Sequence, residues 1–237
     1  MTDEQAPERL RAGTRAGGCR GLWLTCLSPF ALELAGSGAA DWLGVDLQHG
    51  DLRVDDLPGL LRAATVPVLA RSASHDRAEL VRILDTGVAG VIVPAVESAA
   101  EAAALVQSVR IPPEGARGTG ISRAGLLGIQ RPLLLPMVET AAGLAAVEEI
   151  VVVPGLDGVF VGPYDLALSL GERDATAPRV LEGIAAVLRA ADRAGVIGGL
   201  FAGNPVLLER FRGAGLLGVD SDIAALRIGL AALFDPR

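Results

Sequence analysis

The sequence predicts a single-domain (β/α)8 barrel, the TIM-barrel class of α/β folds. Short β-branched runs alternate along the chain with alanine- and leucine-rich helical stretches, a pattern typical of parallel sheets built from βαβ units. Eight such units fit within 237 residues, which is a usual length for one barrel of this class. No linker divides the chain, so one domain is predicted. From the pattern alone, a doubly wound sheet stays open as an alternative.

The strands are predicted at the short β-branched runs, and helices are predicted between them. The strands are placed at Gly21–Thr25, Trp42–Asp46, Pro67–Arg71, Gly90–Pro94, Leu133–Glu139, Gly158–Gly162, Val196–Phe201 and Leu216–Asp220. The longer helices are placed at Arg77–Thr86, Ser98–Val109, Ala141–Val151, Pro178–Ala194 and Pro205–Gly213. Residues 1–18 are polar, and we expect a flexible tail there, followed by the barrel over residues 19–237.

Composition and charge narrow the possible functions. The net charge is -7, and no basic cluster stands out beyond the thinly charged N-terminal tail, which argues against nucleic acid as a partner. No apolar run reaches the roughly 18 residues that a membrane span needs. The first twenty residues lack the apolar stretch of a signal peptide, so we expect a cytoplasmic protein without membrane contact. Two cysteines are too few for a disulfide framework.

The chain has no lysine, because all 21 of its basic residues are arginine. This excludes mechanisms that need a lysine side chain, such as a side-chain Schiff base, a pyridoxal phosphate anchor or a P-loop. No G-x-G-x-x-G follows a predicted strand, and G-x-S-x-G and cysteine pairs with zinc spacing do not occur. The sequence therefore argues against nicotinamide binding, hydrolase triads and zinc sites.

Charged residues stand at or just beyond the carboxyl ends of predicted strands, where barrel enzymes carry their chemistry. These residues are Asp46, Arg71, Glu139 and Asp165. Glu139 and Asp165 follow consecutive strands, so their carboxylates can converge on one hard cation such as Mg2+ or Mn2+. Caps for the helices that follow explain these two acids about equally well.

Further candidates lie beside these acids. In VDLQHG, Asp46 can orient the ring of His49 and stabilise its charged form, as a general base requires; a plain structural hydrogen bond is the more common explanation. Arg71 needs an anionic partner, either a structural carboxylate or the substrate. Gly162 opens a helix whose free N–H groups suit a substrate carboxylate. His75 is placed at a helix cap, on the surface or on the pocket rim.

Several motifs occur in the order in which one known family carries them. They are DWLGVDLQHG, VPVLAR, GVIVPAVESAAEA, PPEGARG, PMVET and GLDGVFVGPYDLALSLG. From about Gly21 to Asp235 the chain resembles the HpcH/HpaI aldolase family, the 4-hydroxy-2-oxoheptanedioate aldolases and their relatives. DLQHG and G-x-D-G-V-F-x-G-P-x-D-L are specific, whereas the alanine-rich helices are not. The resemblance implies a (β/α)8 barrel and a homo-oligomer, hexameric or trimeric.

The resemblance also implies an activity and roles for residues. The family uses Mg2+, Mn2+ or Co2+ to cleave 4-hydroxy-2-oxo acids into pyruvate and an aldehyde. Glu139 and Asp165 match its metal ligands, and Arg71 matches the arginine that stabilises the pyruvate enolate. His49 matches the general base, with Asp46 as its partner.

The substrate-binding turn and two departures from the family pattern concern the rest of the pocket. Gly162, Pro163 and Tyr164 match the turn that binds the substrate carboxylate. The segment from Gly125 to Leu135 is shorter than is usual in the family, and from this we expect a wider mouth on the acceptor side. Met137 stands where many of these aldolases carry glutamine.

Two other functions stay open at this point. A lyase acting on a CoA thioester, such as malyl- or citramalyl-CoA, would need a larger mouth and usually basic residues for the nucleotide; the absence of lysine counts against it. A non-catalytic barrel that binds a metal and a 2-oxo acid, or that serves only in assembly, is the second alternative. The His49–Asp46 pair counts against it, and the short segment counts in its favour.

Overall fold

A computed structural model of the protein describes residues 5–128 and 131–234. Eight parallel strands close into a barrel in chain order, and β8 pairs with β1. The strands are β1 Cys19–Leu24, β2 Trp42–Asp46, β3 Val68–Arg71, β4 Gly90–Val93, β5 Leu133–Val138, β6 Gly158–Val161, β7 Ile197–Phe201 and β8 Leu216–Ser221. The predicted single (β/α)8 TIM barrel is confirmed.

Helices lie between the strands, and their ends follow from local sequence. The Asp76 side chain accepts the amide of Glu79 at 2.9 Å and so begins α4, while Gly195, with φ of 70°, ends α10. The predicted helix over Ala141–Val151 divides at Ala146 into two short helices. The helices are α1 Ala6–Arg15, α2 Pro29–Ala35, α3 Leu57–Ala63, α4 Arg77–Asp85, α5 Ala99–Val109, α6 Arg123–Leu126, α7 Ala141–Ala145, α8 Val147–Ile150, α9 Pro163–Ser169, α10 Pro178–Ala194, α11 Pro205–Arg210 and α12 Asp222–Phe234.

Large aromatic side chains fill the inside of the barrel. The ring centroids of Trp23 and Phe160 lie 5.8 Å apart, and those of Trp42 and Phe160 lie 6.2 Å apart. Glycines on the strands make room for the indoles. A Cβ atom at Gly21 would lie 2.1 Å from the Trp42 ring, and one at Gly44 would lie 2.6 Å from the Trp23 ring. The interior is therefore a packed core, which leaves the carboxyl ends of the strands for chemistry.

The structure corrects the expectation of a flexible tail over residues 1–18. Residues 6–15 form α1, while residues 1–4 lie outside the described part of the chain. Leu10 of α1 is 1% exposed and packs with the residues that fill the barrel, and the Arg11 guanidinium binds the Asp157 carboxylate at 2.8 Å. One apolar residue and one arginine are enough to dock an otherwise polar helix, which is why composition alone missed it.

The described residues of the short segment 125–135 lie at the amino-terminal end of the barrel. Arg123 of α6 donates from Nη1 to the Thr86 carbonyl at 3.0 Å, at the end of α4, and Leu133–Leu135 belong to the first half of β5. Residues 129–130 lie outside the described part of the chain. The described residues of the segment do not border the mouth of their own barrel, so the expected widening of that mouth loses its structural basis.

Candidate active site

The candidate residues gather at the carboxyl ends of four strands. Asp46 ends β2 and Arg71 ends β3, and the two are register partners in the sheet. His49 lies in the turn after β2, and Glu139 directly follows β5. Asp165 lies in the first turn of α9, the helix that follows β6. The sequence had placed all five at strand ends, and the structure puts them at the same end of the barrel.

Arg71 finds its anionic partner in Asp46. Its Nε donates to Oδ1 at 3.0 Å and its Nη2 donates to Oδ2 at 2.5 Å. The Trp23 indole donates to the same Oδ2 at 3.2 Å, and the guanidinium carbon lies 5.6 Å from the centre of the Trp23 ring. The expected anionic partner of Arg71 was either a structural carboxylate or the substrate, and the structure shows a structural carboxylate. Nη1 of Arg71 has no acceptor within the described residues.

The structure corrects the expected contact between Asp46 and the His49 ring. Asp46 Oδ1 accepts the backbone amides of Gln48 at 3.0 Å and His49 at 3.1 Å. The ring itself is exposed and makes no hydrogen bond to any described residue. Both oxygens are occupied by the Arg71 fork, which suits a carboxylate better than one ring nitrogen does. Burial raises the pKa of Asp46, but Arg71 and the two turn amides outweigh it and hold that pKa below 3.8.

Glu139 carries a buried oxygen that lacks a donor. The residue is 6% exposed, and Oε1 accepts the amide of Ala95 at 2.7 Å, while Oε2 has no hydrogen-bond partner within the described chain. Ala95 adopts φ of 49°, a conformation that L-residues rarely adopt. Burial raises the pKa of Glu139 above 4.5; the Ala95 hydrogen bond opposes this, and the charge of Asp165 adds to it. The charge of Asp165 therefore acts on the Glu139 carboxylate.

Gly162 is needed for Glu139 to occupy this position. A Cβ atom there would lie 2.6 Å from Glu139 Oε2 and 3.3 Å from the sulfur of Met137. Gly162 precedes α9, whose first residue is Pro163. Proline has no amide hydrogen to donate, and the amides that follow it in the first turn have no hydrogen-bond partner within the helix. The expected carboxylate-binding turn thus lies beside the acidic pair.

Two other candidate side chains point to neighbouring strands. The Tyr164 hydroxyl donates to the Ala202 carbonyl at 3.2 Å and accepts from Asn204 at 3.3 Å, so its side chain is tied to the loop after β7. His75 is exposed, and its Nε2 lies 2.6 Å from the Pro94 carbonyl just past β4. His75 therefore lies on the rim, one of the expected positions, and the next residue caps α4.

The acidic pair fits an open site for a hard cation. Within residues 5–128 and 131–234, no group of three or more His, Cys, Asp and Glu residues is arranged to hold a metal. A cation here would take Glu139 and Asp165 as its protein ligands and complete its shell with water or substrate oxygens. The unpartnered Oε2 of Glu139 supports this fit, because a buried anionic oxygen is costly unless something neutralises it.

Three contributors to the site escaped the sequence analysis. Trp23 and Ala95 gave no signal, because the indole that donates to Asp46 and the amide that donates to Glu139 bridge neighbouring strands whose residues lie 23 and 44 positions apart in the sequence. Asp222 directly follows β8, is 1% exposed, and accepts amides of the loop after β1. The rule that located the other acids, a charged residue at a strand end, could have found Asp222.

Comparisons of sequence identify related proteins. A family model described as HpcH/HpaI aldolase/citrate lyase matches residues 20–224. A hydroxypyruvate/pyruvate aldolase of Pseudomonas aeruginosa is 34% identical over 236 residues, covering 91% of this chain and 87% of the relative. A 2-keto-3-deoxy-L-rhamnonate aldolase of Klebsiella pneumoniae subsp. pneumoniae is 34% identical over 206 residues, covering 80% and 77%.

A solved structure agrees over nearly the whole length. The crystal structure of an HpcH/HpaI aldolase/citrate lyase family protein from Burkholderia cenocepacia J2315 matches with a TM-score of 0.86 and 33% identity, covering 96% of both chains. In the described part of this chain, no helix combines the length and apolar character needed to cross a membrane. The aldolase relatives overturn the alternative of a non-catalytic barrel. This chain belongs to the HpcH/HpaI aldolase/citrate lyase family and is a carbon–carbon lyase.

Proposed function

We propose that this protein is a divalent-metal-dependent pyruvate aldolase that reversibly cleaves 4-hydroxy-2-oxo acids into pyruvate and an aldehyde. The observation that carries the proposal is the buried, unpartnered oxygen of Glu139 beside a second carboxylate, Asp165. The names of the relatives, hydroxypyruvate/pyruvate aldolase and 2-keto-3-deoxy-L-rhamnonate aldolase, support a 2-oxo acid as the substrate.

Glu139 and Asp165 would hold the cation, which we propose to be Mg2+, Mn2+ or Co2+. When bound, such a cation supplies Lewis-acid polarisation of the 2-oxo group. At the turn over Gly162–Tyr164, the Gly162 amide donates to the Val138 carbonyl at 3.2 Å and Pro163 has no amide hydrogen. The amides of Tyr164 and Asp165 would therefore bind the substrate carboxylate, because the start of a helix favours an anion. The pyruvate half of the substrate is then fixed at both its carboxylate and its keto oxygen.

Arg71 would stabilise the negative charge that develops during cleavage. Two of its nitrogens are committed to Asp46, which holds the guanidinium in one orientation, and Nη1 is left to donate. A donor fixed in advance contributes most where charge appears in the transition state, here on the enolate oxygen of pyruvate. Arg71 would therefore act on the rate as well as on binding.

His49 would act as the general base, directly or through one water. In cleavage it takes the proton of the C4 hydroxyl, the C3–C4 bond breaks, and the electron pair of that bond forms the enolate of pyruvate while the aldehyde leaves. An exposed ring with no hydrogen bond to a described residue is free to accept that proton. Protonation of the enolate at C3 completes pyruvate, and condensation follows the same steps in reverse.

The test is pyruvate release from a panel of 4-hydroxy-2-oxo acids, using protein treated with chelator and then supplied with Mg2+, Mn2+ or Co2+. We expect turnover only with a cation. Glu139→Gln and Asp165→Asn should lose cation binding, measured by calorimetry, and turnover together. Glu148→Gln, at an exposed acid on α8, is the matched control and should behave as wild type. Full turnover after chelation would overturn the proposal. Cleavage of malyl- or citramalyl-CoA, with none of the 4-hydroxy-2-oxo acids cleaved, would overturn it as well.

We also propose a homo-oligomer, trimeric or hexameric. Support comes from α12, where apolar side chains are exposed along most of the helix, whereas a helix that is apolar on all sides is normally buried. Light scattering should show the assembly, and Leu226→Asp combined with Leu230→Asp should dissociate it; a monomeric wild type would contradict the proposal. The exposed residues are Ile223, Leu226, Ile228, Leu230, Leu233 and Phe234.

A further inference from the structure

Asp222 is a buried carboxylate held entirely by neutral donors. It begins α12 directly after β8 and is 1% exposed. It accepts the amide of Thr25 at 3.0 Å, the Thr25 hydroxyl at 2.7 Å, and the amides of Cys26 and Leu27 at 2.9 Å each. The amide of Ile223 adds a fifth hydrogen bond at 2.9 Å. Among the described residues, no arginine or histidine pairs with it.

The loop that Asp222 holds packs against the turn that carries His49. The Thr25 carbonyl accepts the amide of Asp51 at 2.8 Å. The two segments approach so closely that a Cβ atom at Gly50 would lie 2.7 Å from the Thr25 oxygen and 3.1 Å from its Cα. A shift of Thr25 would therefore displace the turn on which His49 is mounted.

The other side of this turn is fixed independently. Asp46 accepts the amides of Gln48 and His49, so the turn is clamped between the Asp46 carboxylate and the Thr25 backbone. The first clamp is anchored by Arg71, and the second is anchored by Asp222. With a freely exposed ring, His49 depends on these backbone clamps for its position.

We propose that Asp222 is a positioning residue for the reaction, acting on His49 through Thr25 and the turn over residues 46–51. The inference rests on the proposed function, in which His49 is the base. Asp222 touches neither substrate nor cation in this scheme. Removing its hydrogen bonds lowers the rate because the base is misplaced, and leaves the groups that bind the cation and pyruvate on β3, β5 and α9 undisturbed.

A purely structural role for Asp222 makes a different prediction. Its bond to Ile223 also starts α12, so a variant with a loosened fold would lose cation binding, pyruvate binding and turnover in proportion to the unfolded fraction. A positioning role separates these quantities. The turnover number falls, while the dissociation constants for the cation and for pyruvate stay as in wild type.

The experiment compares Asp222→Asn with Thr25→Val, using Thr25→Ser as the matched control. Asparagine keeps the shape but presents an NH2 group to backbone amides that need an acceptor. We expect kcat to fall about 10- to 100-fold, the scale of a small misplacement of a catalytic group. Thr25→Val loses only the hydroxyl bond and should show a smaller fall; Thr25→Ser keeps that bond and should match wild type. Unchanged kcat in Asp222→Asn, or equal loss of binding and kcat, would overturn the inference.

Measuring Asp222→Asn in a protein that also carries His49→Ala separates a failure of this inference from a failure of the proposed function. If Asp222 acts through His49, adding Asp222→Asn to His49→Ala causes no further fall in kcat. If Asp222→Asn lowers kcat equally with and without His49, the positioning route is wrong and the proposed function stands. If His49→Ala alone keeps wild-type turnover, both the assigned base and the positioning of it are overturned.

Discussion

Each carboxylate oxygen of Asp46 accepts a different nitrogen of Arg71, across adjacent strands in which the two residues are register partners. Their side chains are 3% and 10% exposed. The pair therefore holds the Arg71 guanidinium rigidly at the mouth of the barrel. Its Nη1 has no acceptor among the described residues and is available to a ligand. The pair also explains why Asp46 has no oxygen to spare for the His49 ring.

Breaking this pair on one side should destabilise the fold. Arg71→Met leaves the Asp46 carboxylate buried and uncompensated, and the loss of a buried partner costs about 3–5 kcal/mol of unfolding free energy. Asp46→Asn added to Arg71→Met removes that stranded charge and should recover part of the loss without restoring turnover. Urea unfolding and pyruvate release measure the two effects. A single variant as stable as wild type would show that the pair contributes nothing.

Gly162→Ala should weaken cation binding without unfolding the protein. The new Cβ atom would lie 2.6 Å from Glu139 Oε2, so the carboxylate must move. Displacing a ligand in this way lowers metal affinity by about 10- to 100-fold, as other changes around metal ligands do. Calorimetric titration with Mn2+ measures it. Gly213→Ala is the matched control, because a Cβ atom there meets nothing within 4 Å; equal affinity in both variants would contradict the role of Gly162.

Replacing His49 should remove catalysis and spare the cation site. His49→Ala should lower aldol cleavage by about 10²–10⁴-fold, the usual contribution of a general base. Cation affinity should persist, because His49 is assigned no ligand role. His75→Ala tests the other histidine, which lies on the rim bonded to the Pro94 carbonyl, and should keep most of the turnover. A larger loss in His75→Ala than in His49→Ala would reverse the assignment of the base.

The barrel could be predicted from the sequence because local signals mark its elements. The strand Trp42–Asp46 and the helix Pro178–Ala194 were predicted to the residue, the helix because Pro178 can begin it and Gly195 ends it in a left-handed conformation. The other ends coincide or differ by one or two residues, except that α11 ends at Arg210, three residues before the predicted Gly213. The helix over residues 6–15 was missed because the contacts of Leu10 and Arg11 with the barrel hold it in place. A polar composition gives no sign of these contacts.

The positions of the site residues could be predicted from the sequence, but their hydrogen-bond partners could not. A charged residue at a strand end must lie at the barrel mouth, and this placed Asp46, Arg71 and Glu139 together. Which group each one bonds depends on the register of strands and on the path of backbone loops. The Asp46–Arg71 pair, the amide of Ala95 on Glu139 and the hold of Asp222 on the loop after β1 all follow from that geometry.

The acid stability of the protein should depend on Asp222. Burial raises the pKa of its carboxyl, but the amides and hydroxyl that it accepts outweigh burial and hold the pKa below 3.8. The folded state then binds this proton more weakly than the unfolded state does, so the charged carboxylate stabilises the fold above pH 3.8. That contribution is lost as the pH falls through the lowered folded pKa.

The measurement is the unfolding free energy of chelator-treated wild type and Asp222→Asn over a pH series. Asp46 also has a lowered pKa, but it is present in both proteins and cancels in their difference. We expect the difference in unfolding free energy between them to be constant above pH 3.8 and to shrink below it. Protonation removes the stabilising negative charge of Asp222 from wild type, whereas asparagine lacks that charge at every pH. A difference that does not change with pH would show that the Asp222 carboxylate titrates alike in the folded and unfolded states, and that its hydrogen bonds contribute no charge-dependent stability.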